Sequence, residues 1–148
     1  MQIREYQESD EDAVLALWQQ CGLVVPQNDP RKDIQRKLRV DPELFLVGLD
    51  VAGNGQVVAT VMAGYEGHRG WINYLAVAPA QRNEGLGRVL MAAAEQRLLA
   101  LGCPKVNLQV RSGNTALIAF YRALGYQVDE VVGMGKRLQS DTGPGDPG

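Results

Sequence analysis

An apolar run from Trp71 to Val77 turns through Ala78-Pro79-Ala80-Gln81-Arg82-Asn83-Glu84-Gly85-Leu86-Gly87-Arg88 into an amphipathic run that ends near Leu101. A short apolar run, Val106 to Val110, follows it. Strand, crossover helix and second strand imply two parallel neighbours joined by a right-handed connection. The turn itself is suited to an anion. Glycines let the backbone approach a ligand without a Cβ in the way. The first N–H groups of a helix have no internal acceptor, and the helix dipole adds partial positive charge there. Together they make an anion site before any side chain contributes.

The spacing Arg82-x-x-Gly85-x-Gly87 is not the dinucleotide fingerprint. That motif needs Gly-x-Gly-x-x-Gly and an acidic residue about 20 positions on. The Gly-Lys-Ser/Thr ending of a nucleoside-triphosphate loop is absent too. A plain strand-to-helix turn that needs two glycines stays open as the other reading. Glu84 lies inside the loop and suits a bound anion only if its carboxylate points to solvent.

The rest of the chain supplies a sheet for this unit. Met1 to Tyr6 alternates apolar and polar residues and predicts an edge strand. Ser9 to Asp12 predicts a helix start, with Val14, Leu17, Trp18 and Cys21 at helical spacing and Gly22 as the stop. Asp29 before Pro30 predicts the cap of a second, highly charged helix through Ile34 and Leu38. It reads as a solvated surface helix. Leu44 to Val51 is nearly continuously apolar, which suits a strand covered on both faces. Ala52-Gly53-Asn54-Gly55 is a hairpin turn, and Gln56 to Tyr65 is the returning strand. In the third strand, alternation puts Trp71, Asn73, Leu75 and Val77 on one face and Ile72, Tyr74 and Ala76 on the other.

The helix after the loop is expected to bury a stripe of Leu86, Val89, Leu90, Ala93, Ala94, Leu98 and Leu101. A last helix starts at Asn114, buries Leu117, Phe120 and Leu124, and stops at Gly125. Tyr126 to Glu130 and Val132 to Leu138 read as two closing strands. Residues 1–139 form one domain on this reading, since 148 residues is about one domain by length. Residues 140–148 carry no apolar side chain and are expected to bury nothing and stay disordered.

Composition narrows the partners. A net charge of −2 gives no reason to expect nucleic acid or an anionic membrane. No apolar run approaches the roughly 20 residues that span a bilayer. Met1 to Glu5 opens no signal-peptide core. Cys21 and Cys103 lack metal-ligand spacing, so no metal is expected. Two reduced cysteines fit a cytoplasmic protein. Oligomeric state stays open, a homodimer included.

Asn114 and Tyr121 are seven positions apart, two helical turns, and so share a helix face. The segment Asn114-Thr115-Ala116-x-x-x-Phe120-Tyr121-x-x-x-Gly125-Tyr126 resembles motif B of the GNAT N-acetyltransferases. The segment Leu75-Ala76-Val77-x-Pro79 with Arg82-x-x-Gly85-x-Gly87 resembles motif A of the same family. The order of elements is similar over nearly the whole chain. Asn28-Asp29-Pro30, Gly64-Tyr65-x-Gly67-His68-Arg69-Gly70, Gly102-Cys103-Pro104-Lys105 and Gly135-Lys136-Arg137-Leu138 look like the small bacterial YpeA-type members.

The resemblance implies an α/β fold: a mixed, mostly antiparallel twisted sheet with a central splayed parallel pair and about four helices. It implies acetyl-CoA as cosubstrate and an amine as acceptor. The loop Arg82, Asn83, Glu84, Gly85, Leu86, Gly87 and Arg88 would hold the pyrophosphate through its amides. Leu75, Ala76 and Val77 would hold the pantetheine through their backbone, and an N–H there would polarise the thioester carbonyl. Asn114 would contact the pantetheine or pyrophosphate. Tyr121 would protonate the departing thiolate. The second helix would line the acceptor side.

An acceptor amine must be neutral to attack, so a general base is needed. The strand Trp71 to Val77 carries no carboxylate. Glu66 is the chosen candidate, with His68 beside it in the preceding turn and Tyr74 as a proton conductor or a packing residue. The acceptor is a small-molecule amine or a protein N-terminus or lysine. The missing strand carboxylate leaves an alternative, a non-catalytic acyl-CoA-binding sensor.

Overall fold

The computed structural model describes residues 1–142. The disorder expected of residues 143–148 lies outside the described residues. Five strands form one sheet in the order β1-β2-β3-β4-β5: Gln2–Glu5, Phe45–Leu49, Val57–Tyr65, Gly70–Val77 and Val106–Leu108. The first three pairings are antiparallel, and β4 pairs with β5 in parallel. The helices are α1 (Glu11–Gln20), α2 (Pro30–Arg39), α3 (Leu86–Ala100) and α4 (Thr115–Ala123). The mixed α/β class is as the resemblance implied, with the parallel pair last in the described sheet.

Two cores cover the two faces of the sheet. On one, α1 and α2 pack Val14, Leu17, Trp18 and Ile34 against Phe45, Val47, Met62 and Ala76. On the other, α3 and α4 pack Leu90, Met91, Ala94, Leu98 and Tyr121 against Leu46, Ala59, Val61, Ala63 and Ile72. Period-two alternation along β2 and β3 sends successive residues to opposite cores, which is why these runs are apolar throughout.

β4 breaks that alternation. Met62 pairs with Asn73 and Thr60 with Ala76, so β4 holds one more residue than β3 across this step. Tyr74, with φ 52°, takes up the extra residue. The result is a β-bulge, which re-aims side chains and increases local twist. It corrects the expected facing. Ile72 lies in the α3/α4 core, the core against which Leu75 and Val77 also pack, while Tyr74 and Ala76 belong to the α1/α2 side.

Three other expectations are corrected. The buried stripe of α3 is Gly87, Leu90, Met91, Ala94 and Leu98, and Val89 and Leu101 are exposed. Gly87 faces inward, where a side chain would crowd Phe120 of α4 and touch Val77 of β4. Residues 126–138 contain no strand; Gly133 and Gly135 interrupt the apolar pattern, and glycine inside a strand weakens it. Finally, Asp141 does not stay free. It is buried against α2, where its carboxylate accepts from the Asp29 N–H at 2.9 Å and ion-pairs with Arg36.

Candidate active site

β4 runs into α3 through a short 3-10 turn, Pro79–Gln81, and then Arg82 to Gly85. Asn83 at φ 70° and Gly85 at φ 77° both turn left-handed, which lifts the chain off the strand axis. Gly85 is the N-cap of α3 and supplies no side chain to cap it. The first amides of the helix, Leu86 to Arg88, therefore face outward without an acceptor from the cap, as an anion-binding mouth requires. Glu84 is exposed, so its charge is solvated rather than buried at that mouth. Arg82 is folded back: its Nε donates to the Val77 carbonyl at 3.3 Å and an Nη lies 3.5 Å from the Cys21 sulfur. It braces the loop against β4 and α1. Arg88 is exposed on the first turn of α3.

At the start of β4, away from the mouth, the parallel ladder is short. Gly70, Trp71 and Ile72 pair with Val106, Asn107 and Leu108, and the pairing stops there. The bulge follows at once. From Asn73 to Val77, then, β4 has no ladder partner on its β5 side. Leu75, Ala76 and Val77 sit in this stretch.

α4 packs beside the start of α3, where Phe120 lies next to Gly87. Asn114 is its N-cap and accepts from the Leu117 N–H at 3.2 Å. That bond occupies Oδ1 and leaves the amide NH2 at an exposed position. Tyr121, two turns on, is 7 % exposed and belongs to the core that Leu75, Val77 and Leu108 pack against. Its ring meets Phe120 and Tyr126 edge-on at centroid distances of 5.1 and 5.6 Å. Burial pushes its phenol up to about 12. Asn114 and Tyr121 share the helix but not its environment: one stands at the open end, the other inside.

Glu66 is placed differently. It is exposed, in the turn before β4, and its Oε1 accepts the His68 N–H at 2.8 Å and the Arg69 N–H. The Arg69 and His68 backbone bonds hold its carboxyl below the usual range. β4 then separates it from the α3 mouth by eight residues, about 25 Å of strand. A carboxylate so held is a weaker base, and it stands at the far end of β4. His68 is exposed in the same turn.

A carboxylate that the sequence did not single out lies nearer. The Tyr74 hydroxyl donates to Asp33 Oδ2 at 2.6 Å. Trp18 stacks on the Tyr74 ring with centroids 3.8 Å apart, and its Nε1 donates to Thr60 Oγ1 at 2.9 Å. Thr60 in turn donates to the Tyr74 carbonyl at 2.8 Å. Burial first, and then the Asp33 bond, push the Tyr74 phenol far above its ordinary value. The one signal in sequence was that Asp33 is the sole acid among the basic residues of Pro30 to Arg39.

The chain matches the family model described as Acetyltransferase (GNAT) family over residues 5–126. It is 46 % identical over 141 residues to an acetyltransferase of Yersinia pestis (strain Pestoides F), covering 95 % of this chain and 98 % of the relative. Among solved structures, Naa20 of Chaetomium thermophilum in complex with a bisubstrate analogue is 26 % identical with TM-score 0.68, covering 86 % of this chain and 72 % of that one. The aminoglycoside antibiotic 6′-N-acetyltransferase AAC(6′)-IG of Acinetobacter haemolyticus has TM-score 0.70 at 20 % identity, covering 94 % of this chain and 100 % of that one. The latter likeness shows the fold alone.

Proposed function

The chain belongs to the GNAT acetyltransferase family and is an acyltransferase, and from that premise we propose that it moves an acetyl group from acetyl-CoA to a primary amine by direct attack in a ternary complex. The observation that carries this reading is one juxtaposition. The start of α3, the unpaired stretch of β4 and a buried tyrosine come together: Phe120 and Val77 lie beside Gly87, and Leu75 and Val77 pack against the core that holds Tyr121. The residues present fit the cosubstrate: Gly85 caps with no side chain, and Glu84 stands out in solvent.

In this reading the amides from Gly85 to Arg88 take the pyrophosphate, where the helix dipole favours negative charge. The backbone of Leu75 to Val77 takes the pantetheine as an added strand would. An N–H of the same stretch donates to the thioester oxygen as it gains charge in the tetrahedral stage. The Asn114 amide stays available to the pantetheine or pyrophosphate. Burial keeps Tyr121 protonated, ready to donate to the departing sulfur, whose own basicity rises in the same apolar surroundings. The acceptor is a small-molecule amine or a protein N-terminus or lysine.

The test combines calorimetry with a turnover assay. Acetyl-CoA alone should give a saturable heat, and thiol release should rise with at least one member of a panel of small amines and amino-terminal peptides. An absence of heat with acetyl-CoA removes the reading altogether.

A further inference from the structure

Resting on that reading, we propose that Tyr74 and Asp33 form the proton-accepting side of the reaction, with Tyr74 as the catalytic residue and Asp33 as the group that positions it and receives its proton. Tyr74 lies at the bulge, inside the stretch of β4 that has lost its ladder on the β5 side. Its side chain faces the α1/α2 core, and Tyr121 faces the α3/α4 core. The two side chains thus lie on opposite faces of the sheet. Amide formation needs that polarity. One proton leaves nitrogen on one side of the tetrahedral carbon, and one reaches sulfur on the other.

The pair is built rather than incidental. Tyr74 is held in place by Trp18 stacking and by Thr60 on its carbonyl. Asp33 Oδ2 accepts from Tyr74, and its Oδ1 accepts from Arg36 at 2.9 Å. Arg36 also pairs with the buried Asp141, so the guanidinium is tethered on both sides. From α1 the uncharged Trp18 ring stacks on Tyr74, and besides Asp33 itself the charges acting on that phenol are Arg36 from α2 and Asp141 from the C-terminal segment. The side chain of Asp33 keeps 27 % of its surface exposed, enough for the proton to reach solvent after each turnover.

The steps balance. The nitrogen lone pair forms the bond to the acetyl carbon, and the nitrogen becomes cationic and acidic. Its proton passes to the Tyr74 oxygen as Tyr74 gives its own to Asp33. The carbon–sulfur bond breaks, and the thiolate takes the Tyr121 proton. Asp33 returns a proton to water and Tyr121 recovers one. The products are the N-acetyl amine and free coenzyme A.

The test compares Asp33→Asn, Asp33→Ala and Tyr74→Phe, using the best acceptor from the amine and peptide panel. If no acceptor is found, hydrolysis of bound acetyl-CoA serves instead, since water must lose a proton in the same way. Asp33→Asn keeps an acceptor for the Tyr74 hydroxyl. It should hold acetyl-CoA with wild-type affinity and lose about 10²-fold or more in kcat. Asp33→Ala should fall as far and regain activity when formate is added, a rescue that a purely structural role would not give. Tyr74→Phe should match Asp33→Asn. Wild-type kcat in Asp33→Asn, or no formate rescue of Asp33→Ala, overturns the assignment and leaves acetyl transfer standing. Failure of the wild type to bind acetyl-CoA removes both, and binding without any turnover does the same.

Discussion

Gly87 and Phe120 meet closely: a Cβ on Gly87 would stand 3.1 Å from Phe120 Cζ and 3.4 Å from Cε1, so the ring would have to give slightly to admit it. The contact sets how close the start of α3 lies to α4. Val77, the last residue of β4, is on the same side at 3.8 Å. Gly87→Ala should leave stability nearly unchanged. Alanine favours a helix over glycine by about 1 kcal/mol, and the crowding acts against it. Acetyl-CoA affinity should fall about tenfold, or about 1.4 kcal/mol, because the helix mouth shifts relative to β4. Calorimetry on the variant checks this. Gly85→Ala makes the contrast. It meets no atom within 4 Å but keeps φ at +77°, which should cost about 1–2 kcal/mol in strain and appear in thermal unfolding.

Tyr121→Phe isolates the hydroxyl. The ring contacts with Phe120 and Tyr126 persist, so unfolding free energy should move by no more than about 1 kcal/mol. Acetyl-CoA binding should be unchanged, and kcat should drop by roughly 10²–10⁴ if this phenol is the acid. The pH profile carries a sign. A tyrosine at its ordinary value near 10 would lose its proton, and the rate, above about pH 9. Burial pushes Tyr121 up to about 12, so it should stay a donor through that range. An alkaline loss between pH 9 and 10 that vanishes in Tyr121→Phe would contradict its place in the core.

The strand–loop–helix unit was legible because its signals are local. Glycine at a left-handed N-cap, and Asp29 before Pro30, each fix the chain within a few residues. The bulge at Tyr74 was not legible. A tyrosine at φ 52° has no propensity to announce it; the conformation is imposed by Thr60, Trp18 and the pairing of Met62 with Asn73. Strict alternation therefore misassigned Ile72. The Asp33–Tyr74 bond spans 41 positions, so only the folded chain brings those groups together. Composition misread Asp141 for a related reason. A tail without apolar residues can still be held by charge, here by Arg36 and the Asp29 N–H.

Thr60→Val tests what holds the bulge. The shapes are nearly equal, but the change strips an acceptor from the buried Trp18 N–H and a donor from the Tyr74 carbonyl. An unsatisfied buried polar group costs about 1–3 kcal/mol. We expect a loss of about 2 kcal/mol and a fall in melting temperature of about 4–8 °C. Turnover should fall more than acetyl-CoA affinity does, since Tyr74 loosens while the α3 mouth stays intact. Steady-state kinetics and calorimetry on the same preparation separate the two.

Arg4 and Asp10 tie the first strand to the first helix, and the tie has a pH signature. Arg4 donates two bonds to Asp10, at 2.7 and 3.0 Å, and the Gln7 N–H donates a third at 2.8 Å. Burial raises the Asp10 carboxyl, but the Arg4 bond, the Gln7 bond and the Arg4 charge together outweigh it and leave the group below its ordinary value. The folded state thus prefers the ionised form. Its stabilisation is fully present above the unfolded carboxylate value near 4 and is lost as pH falls through the lower folded value. Asp10→Ala should destabilise by about 2–3 kcal/mol at pH 7. Glu66 and Asp141 are lowered too, so the wild-type curve alone does not isolate Asp10. The difference between wild type and Asp10→Asn does: in urea titrations it should be constant from pH 6 to 8 and shrink steadily below about pH 4.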